Sequence, residues 1–344
     1  MEPIHVLISA RVTVAQLDHM RSIHPRLVIH GEPGGIAILS PAEAATYGID
    51  VGDIEYPEFR PDLDYAALLA QAEVLFATRI PPDITSRAPD LRWIQFTSAG
   101  VDHLWHPTLG AANVTVTSSK GIHAIPMAEF VLSAMLMFAK QWPRLLRQQQ
   151  AHQWQKFVVS ELHGKTLILL GIGEIGRAIA RLGKACGMLL IGVRRHADRG
   201  LVGDIDEVYP ASQLREILPR GDFVVSTLPL TASTRGMLEE SMFRAMQPSA
   251  VFINVGRGRT VRQEALLRAL REHWIAGAAL DVLDPEPLPP DHPFWDLPNV
   301  LLSPHMGADA AMIMERMTEV FYDNLHRYAA REPLRNVVDP AEGY

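Results

Sequence analysis

The chain alternates between two hydrophobic rhythms. Short runs rich in Val, Ile and Leu stop at glycine, proline or small polar residues, and stretches with an apolar residue every three or four positions follow them. Runs of the first kind read as strands buried on both faces, and stretches of the second as helices laid against them. In the first third the strand candidates are HVLIS (5–9), EVLFAT (73–78), RWIQFTS (92–98) and VTVTSS (114–119). From Lys165 the rhythm is more regular: TLILLG, LLIGVRR, FVVSTLP (223–229), AVFINVG (250–256), AGAALDV (276–282) and NVLLSP (299–304) have helical stretches between most of them. A final helix is predicted from about Ala308 to Ala330. Strand–helix alternation of this kind implies parallel sheets covered by helices.

Three segments depart from the rhythm. From about Gly31 to Asp62 the chain carries Gly34, Gly35, Pro41, Gly52, Pro57 and Pro61, and reads as a long loop with little regular structure. Residues 125–150 read as one long helix, whose first half, MAEFVLSAMLMFAK, is apolar on nearly every face. Such a helix must be buried all round, at a domain junction or a subunit interface, while its later part, RLLRQQQ, reaches solvent. The stretch DPEPLPPDHPFWDLP (284–298) is dense in proline and reads as a stiff loop.

A length of 344 residues suggests two domains, and 48% hydrophobic with 21% charged residues is an ordinary globular balance. The net charge of −7 weighs against a nucleic-acid partner and leaves small anions open. MEPIHVLISA lacks the features of a signal peptide, and the longest uncharged apolar run, Phe130 to Ala139, is too short to span a bilayer. No membrane partner is expected, and a cytoplasmic location follows by default. The single cysteine, Cys186, reads as a small core residue within AIARLGKACGM, and no Cys/His spacing suggests a metal.

Gly171-Ile172-Gly173-Glu174-Ile175-Gly176 forms the pattern G-x-G-x-x-G between a buried strand and an amphipathic helix. Gly171 would permit the tight turn, Gly173 the approach of a pyrophosphate, and Gly176 close packing of helix on strand. The helix N-terminus, starting at Glu174 and Ile175, would present free N–H groups to the phosphates. About 20 residues on, sites for NAD carry an acid that bonds the ribose 2′-hydroxyl. Here Val193-Arg194-Arg195-His196 has none. Guanidinium groups pair with a 2′-phosphate, so NADP is expected over NAD, with Arg194 and Arg195 as contacts.

Three polar residues follow predicted strands at the end where parallel sheets bind ligands. Arg257 lies in NVGRG, Glu286 in the proline-rich loop and His305 in SPHMGA. Delivery of hydride to a ketone needs a proton donor, which histidine supplies near neutral pH. A carboxylate beside a histidine orients it and favours the protonated ring. An anionic 2-keto acid needs a forked cation, which arginine supplies.

GKTLILLGIGEIGRAIARLGKACGMLLIGVRR, STLPLTASTRGML, FINVGRG, AALDVLDPEPLP and NVLLSPHMGA occur in that order, with LRWIQFTSAGVDHL and GIHAIPMAEFVLSAML upstream. Together these motifs resemble the D-isomer-specific 2-hydroxyacid dehydrogenases. The resemblance implies that Arg257 binds the substrate carboxylate, that His305 is the general acid/base and that Glu286 is its partner. It implies Asp281 beside the nicotinamide carboxamide, Pro229 and Thr231 beside the nicotinamide ribose, and the backbone of Ser98, Ala99 and Gly100 at the substrate carboxylate. It further implies two doubly wound parallel-sheet domains: a Rossmann-type dinucleotide domain over 121–308 and a discontinuous flavodoxin-like substrate domain over 1–120 and 309–344, assembled as a homodimer. Gly256 stands where the family often has Ala or Ser, and Gly307-Ala308 where it usually has paired glycines.

Reduction of a small 2-keto acid such as glyoxylate or hydroxypyruvate is the expected activity. Formate-oxidising relatives carry Gln where Glu286 stands, and phosphite-oxidising relatives a lysine in the loop that here reads Thr97-Ser98-Ala99-Gly100. A dinucleotide-sensing corepressor that keeps the same trio is the alternative from another class. Trp105 and Trp142 are candidate pocket walls whose ordinary reading is core or interface, and His103, His106 and His123 read as solvated or structural.

Overall fold

The computed structural model describes residues 2–46, 62–100, 107–195 and 203–339. The chain forms two units, Met1–Ile122 with Ala311–Tyr344, and His123–Ala310.

The first unit is built on a parallel sheet of β1 (Ile4–Ser9), β2 (Leu27–His30), β3 (Val74–Ala77), β4 (Trp93–Phe96) and β5 (Thr115–Thr117), in the order β2-β1-β3-β4-β5. Alternate residues of each strand serve opposite cores. Leu7, Leu75, Ala77, Ile94, Phe96 and Val116 face one, and Ile4, Val6, Ile8, Val74, Phe76 and Trp93 the other. Burial on both faces is why these strands read as unbroken apolar runs. The last helix, Ile313–Ala330, returns to this unit and places Phe321 over Phe76, with ring centroids 4.3 Å apart and planes 5° from parallel. That stack closes a core which the first part of the chain alone would leave open.

The second unit carries β6 (Thr166–Leu170), β7 (Leu189–Arg194), β8 (Glu207–Pro210), β9 (Phe223–Ser226), β10 (Val251–Asn254), β11 (Gly277–Leu280) and β12 (Val300–Leu302). They lie parallel in the order β12-β11-β10-β9-β6-β7-β8. Both units are therefore doubly wound parallel sheets, the first with the flavodoxin-like order and the second with the Rossmann order plus one strand. In the second, the winding reverses between β6 and β9, which opens a crevice at the C-terminal ends of those strands. Leu167 and Leu169 of β6 pack with the helix Ala124–Ala139, and Ile168 and Leu170 pack on the opposite face.

The structure corrects several sequence expectations. The predicted helix over 125–150 is two helices, Ala124–Ala139 and Trp142–Gln150, parted where Gln141 takes a left-handed φ of 53°. Pro143 is the cause: it lacks an amide hydrogen and fits only the first turn of a helix. Within the single chain the first of these helices buries Met127, Val131 and Met135 and leaves Ile125 and Leu136 exposed. The final helix starts at Ile313 rather than Ala308. In the segment read as a loop, Ile36 to Leu39 are buried and Pro41–Thr46 is helical, and residues 47–61 lie outside the described residues. Two strands absent from the sequence reading, β2 and β8, lie at sheet edges, where only partial burial weakens the apolar signal. β8 even contains Pro210, which an edge strand tolerates. Cys186 is half-buried and packs against the core between the helix Glu174–Ala185 and the sheet.

Candidate active site

The loops after β10, β11 and β12 leave three neighbouring strands at the same edge of the second sheet. Two of the three expected catalytic side chains meet there directly: His305 Nδ1 lies 2.7 Å from Glu286 Oε2. Glu286 is itself held, since its Oε1 accepts from the Leu283 amide at 2.8 Å. The carboxylate thus takes the Nδ1 side of the ring and leaves Nε2 for proton exchange. Both side chains remain solvent-exposed.

Arg257 is placed by its backbone. The buried Asn254, at the end of β10, accepts from the Gly256 amide at 3.2 Å and donates to the Arg257 carbonyl at 3.3 Å. Thr260 Oγ1 donates to that same carbonyl at 2.7 Å. Gly258 then meets the next loop so closely that a Cβ there would lie 1.9 Å from the Leu283 carbonyl oxygen. Only glycine allows this approach, which packs the Arg257 turn against the residue whose amide holds Glu286.

Asp281, one residue past β11, is 1% exposed. Its Oδ1 accepts from Ser303 Oγ at 2.7 Å and from the amides of Met306 and Gly307 at 3.0 Å each. These bonds clasp the turn that contains His305, whose φ of 55° is left-handed and costs an L-residue about 1–2 kcal/mol. The other oxygen, Oδ2, is buried and meets no hydrogen-bond partner.

At the reversal of strand order, Gly171 adopts a φ of 98° between β6 and the helix Glu174–Ala185, a value that favours glycine. Gly176 packs against it, so that a Cβ would lie 2.3 Å from the Gly171 carbonyl oxygen. At Gly173, the N-cap, a Cβ would meet nothing within 4 Å. Gly173 thus puts no side chain of its own beside the first amides of the helix, those of Glu174 and Ile175. The Glu174 side chain turns aside to pair with Arg177. Arg194 ends β7 and Arg195 follows it, exposed. After β9, Pro229 and Thr231 form a tight turn in which Thr234 Oγ1 donates to the Pro229 carbonyl at 2.6 Å and accepts from the Thr231 amide at 2.8 Å.

These features fit a dinucleotide. The cradle at Gly173 is open to a pyrophosphate, and the orphaned Asp281 Oδ2 lacks only the N–H donor that a nicotinamide carboxamide carries. Among the described residues, no group of three or more His, Cys, Asp or Glu could hold a metal ion, and no helix is long and apolar enough to cross a membrane.

The remaining expected residues lie elsewhere. Ser98, Ala99 and Gly100 follow β4 in the first unit, where Ser98 Oγ donates to the Gly100 carbonyl at 2.9 Å. Trp105, His103 and His106 lie outside the described residues. Trp142 is 49% exposed, so it is not part of the core.

His123, read from the sequence as structural or solvated, lies within electrostatic reach of Arg257, His305 and Asp309. It is the N-cap residue of the helix Ala124–Ala139 and is half-buried. Burial holds its imidazole below the ordinary value of 6.5; Arg257 and His305 push it the same way, and Asp309 opposes them. Asn254 was also missed. The only local sign of either residue was polarity beside an apolar run.

The family model for the NAD binding domain of D-isomer specific 2-hydroxyacid dehydrogenases matches residues 132–307. A glyoxylate reductase of Aeropyrum pernix is 32% identical over 332 residues, covering 92% of this chain and 96% of the relative. The chain belongs to the D-isomer specific 2-hydroxyacid dehydrogenase family. This dehydrogenase, a nicotinamide-dependent oxidoreductase, is also 33% identical to a glyoxylate/hydroxypyruvate reductase B of Pectobacterium carotovorum, over 81% of this chain and 89% of that one. Among solved structures, a D-isomer specific 2-hydroxyacid dehydrogenase from Xanthobacter autotrophicus, in complex with NADPH and MES, matches with a TM-score of 0.78 at 28% identity, covering all of both chains. An NADPH-dependent glyoxylate/hydroxypyruvate reductase from Sinorhizobium meliloti, in complex with NADP and sulfate, matches with a TM-score of 0.75 at 26% identity, also over all of both chains.

The lowered proton affinity of His123 has a consequence for stability. The unfolded chain protonates this residue near 6.5 and the folded chain only at lower pH. Its contribution is therefore complete above about 6.5 and is lost as pH falls through the folded value. Urea midpoints measured between pH 8 and pH 5 should fall less steeply for His123→Gln than for the wild type, and equal slopes would contradict the assignment.

Proposed function

We propose that this dehydrogenase reduces a small 2-keto acid of the glyoxylate or hydroxypyruvate kind, and that it prefers NADPH to NADH. The observation that carries the reading is the 2.7 Å contact of His305 with Glu286, in loops packed against the Arg257 turn. The relatives named as glyoxylate and glyoxylate/hydroxypyruvate reductases support the choice of substrate.

Arg257 binds the substrate carboxylate with its forked donors and draws electron density toward the keto oxygen. Backbone donors of Ser98, Ala99 and Gly100 contact the same carboxylate. When bound, the reduced nicotinamide supplies a hydride to the carbonyl carbon. His305 gives the proton on Nε2 to the carbonyl oxygen, so the carbonyl group becomes a hydroxyl-bearing carbon and the ring becomes neutral. Glu286 keeps the ring in place throughout by accepting from Nδ1. Asp281 meets the carboxamide, Gly171, Gly173, Glu174, Ile175 and Gly176 border the pyrophosphate, and Pro229 with Thr231 lines the nicotinamide ribose. Arg194 ends β7 and Arg195 follows it, and Val193-Arg194-Arg195-His196 contains no acid to repel a 2′-phosphate. NADPH and NADP in the two structural relatives favour the same preference.

The chain acts as a homodimer in this reading. The helix Trp142–Gln150 buries none of its residues, and Trp142, Leu145 and Leu146 are exposed along it. The following segment exposes Trp154 at 96% and Val158 at 89%. A concentration of apolar surface of this kind fits a second copy.

His305→Ala is expected to lower kcat for glyoxylate with NADPH by about a hundred- to ten-thousand-fold in steady-state assays, and a variant with wild-type kcat would remove His305 from the mechanism. Arg194→Asp should raise the Kd for NADPH by about tenfold or more and change NADH binding little. Equal effects on both cofactors in fluorescence titrations would refute the preference. Light scattering should give twice the chain mass for the wild type and a lower mass for Trp154→Glu combined with Val158→Glu. A monomeric wild type at micromolar concentration would exclude the dimer.

A further inference from the structure

A chain of buried polar side chains crosses the first unit and ends at the Ser98–Ala99–Gly100 loop. It begins on the last helix with Asn324, which is 0% exposed. Asn324 accepts from the Arg335 amide at 2.8 Å, donates to the Arg335 carbonyl at 3.1 Å and donates to Gln95 Oε1 at 3.0 Å. Gln95, on β4 and also 0% exposed, uses its whole amide. Its Oε1 accepts a second bond from Thr117 Oγ1 at 2.7 Å, and its Nε2 donates to the Phe96 carbonyl at 3.1 Å and to Ser119 Oγ at 3.4 Å. Ser119 is the last member. Its hydroxyl donates to the Phe96 carbonyl at 2.9 Å, and its amide donates to the Ser98 carbonyl at 3.0 Å.

Stability alone does not account for this arrangement. In the sheet Gln95 lies between Phe76 and Thr117, and an all-apolar set in place of Gln95, Thr117 and Asn324 would bury without any need for partners. A buried amide costs free energy unless every group is met, and replacing a satisfied set by apolar side chains is often neutral. What a satisfied network adds is direction: it holds its members in one arrangement. Here the arrangement reaches the loop. Phe96 and Ser98 have their carbonyls tied to Ser119, Thr97 Oγ1 donates to Thr78 Oγ1 at 3.3 Å, and Ser98 Oγ closes over the loop onto Gly100. Among the described residues the amides of Ala99 and Gly100 meet no acceptor, which leaves two adjacent donors on a pinned backbone.

We infer that Asn324, Gln95 and Ser119 are positioning residues that hold the Ala99 and Gly100 amides in the orientation that receives the substrate carboxylate. This rests on the proposed role of that loop in keto-acid binding. It also gives the return of the last helix to this unit a part in substrate binding, because Asn324 anchors the chain of bonds at its far end.

The test compares full-length Ser119→Ala, Ser119→Thr and Gln95→Leu, using glyoxylate at saturating NADPH. Ser119→Ala should raise KM for glyoxylate about three- to tenfold, as expected for one or two lost hydrogen bonds, with kcat and the NADPH Kd within about twofold of wild type. Ser119→Thr keeps the hydroxyl and should restore KM. Gln95→Leu should raise KM further, and if it does not fold the two Ser119 variants decide. Unchanged KM in folded Ser119→Ala, or KM and NADPH Kd rising together, would overturn the positioning role while leaving the proposed activity intact. A wild type that binds NADPH but turns over no keto acid would overturn both.

Discussion

Much of the candidate active-site edge of the second unit hangs on one buried carboxylate. Asp281 sits just past a strand that is covered on both faces, where an unpaired charge would be very costly. Three donors offset that cost, and all three come from the turn after β12. Its path is thereby set by the carboxylate rather than by the turn residues alone. His305 accepts a left-handed backbone conformation within this clasp, and the conformation carries its ring to Glu286. Only one oxygen of Asp281 is occupied by the clasp. One residue therefore braces the turn that carries His305 to Glu286 and keeps a second buried oxygen without a hydrogen-bond partner.

A parallel sheet makes such economy possible. All strands end at the same edge, so loops from β10, β11 and β12 become neighbours although other elements separate them in the chain. Asn254 ties the Arg257 turn to its own strand, and Gly258 lets that turn rest on the backbone of the next loop. The first unit solves a similar problem with side chains. Gln95 and Ser119 fix the loop after β4 from beneath, inside the sheet, and Asn324 reaches them from the far end of the chain.

Elements with a complete physical signature were legible in the sequence. β6 and β10 are buried on both faces and read as unbroken apolar runs that stop at a glycine turn. β2 and β8 were not legible, because an edge strand is only partly covered and its sequence need not be apolar. The break at Gln141 was announced by Pro143, but the apolar period continues through Leu145 and outweighed it. Arg257, Glu286 and His305 stood out because their chemistry and strand-end positions agree. His123 could not, since the charges it feels belong to Arg257, His305 and Asp309, far along the chain.

The sequence by itself determined two parallel-sheet units, the glycine turn that admits a dinucleotide, and an arginine, a glutamate and a histidine in loops after consecutive strands. Those properties depend on period, turn chemistry and side-chain type, all of which are local. Tertiary structure alone decided that His305 and Glu286 touch, that Asp281 clasps the turn between them and the sheet, and that Asn324 meets Gln95 across 229 positions of chain. The physical reason is that hydrogen bonds form over about 3 Å, whatever the sequence separation, and only the order of strands and the return of the last helix bring those atoms within that distance.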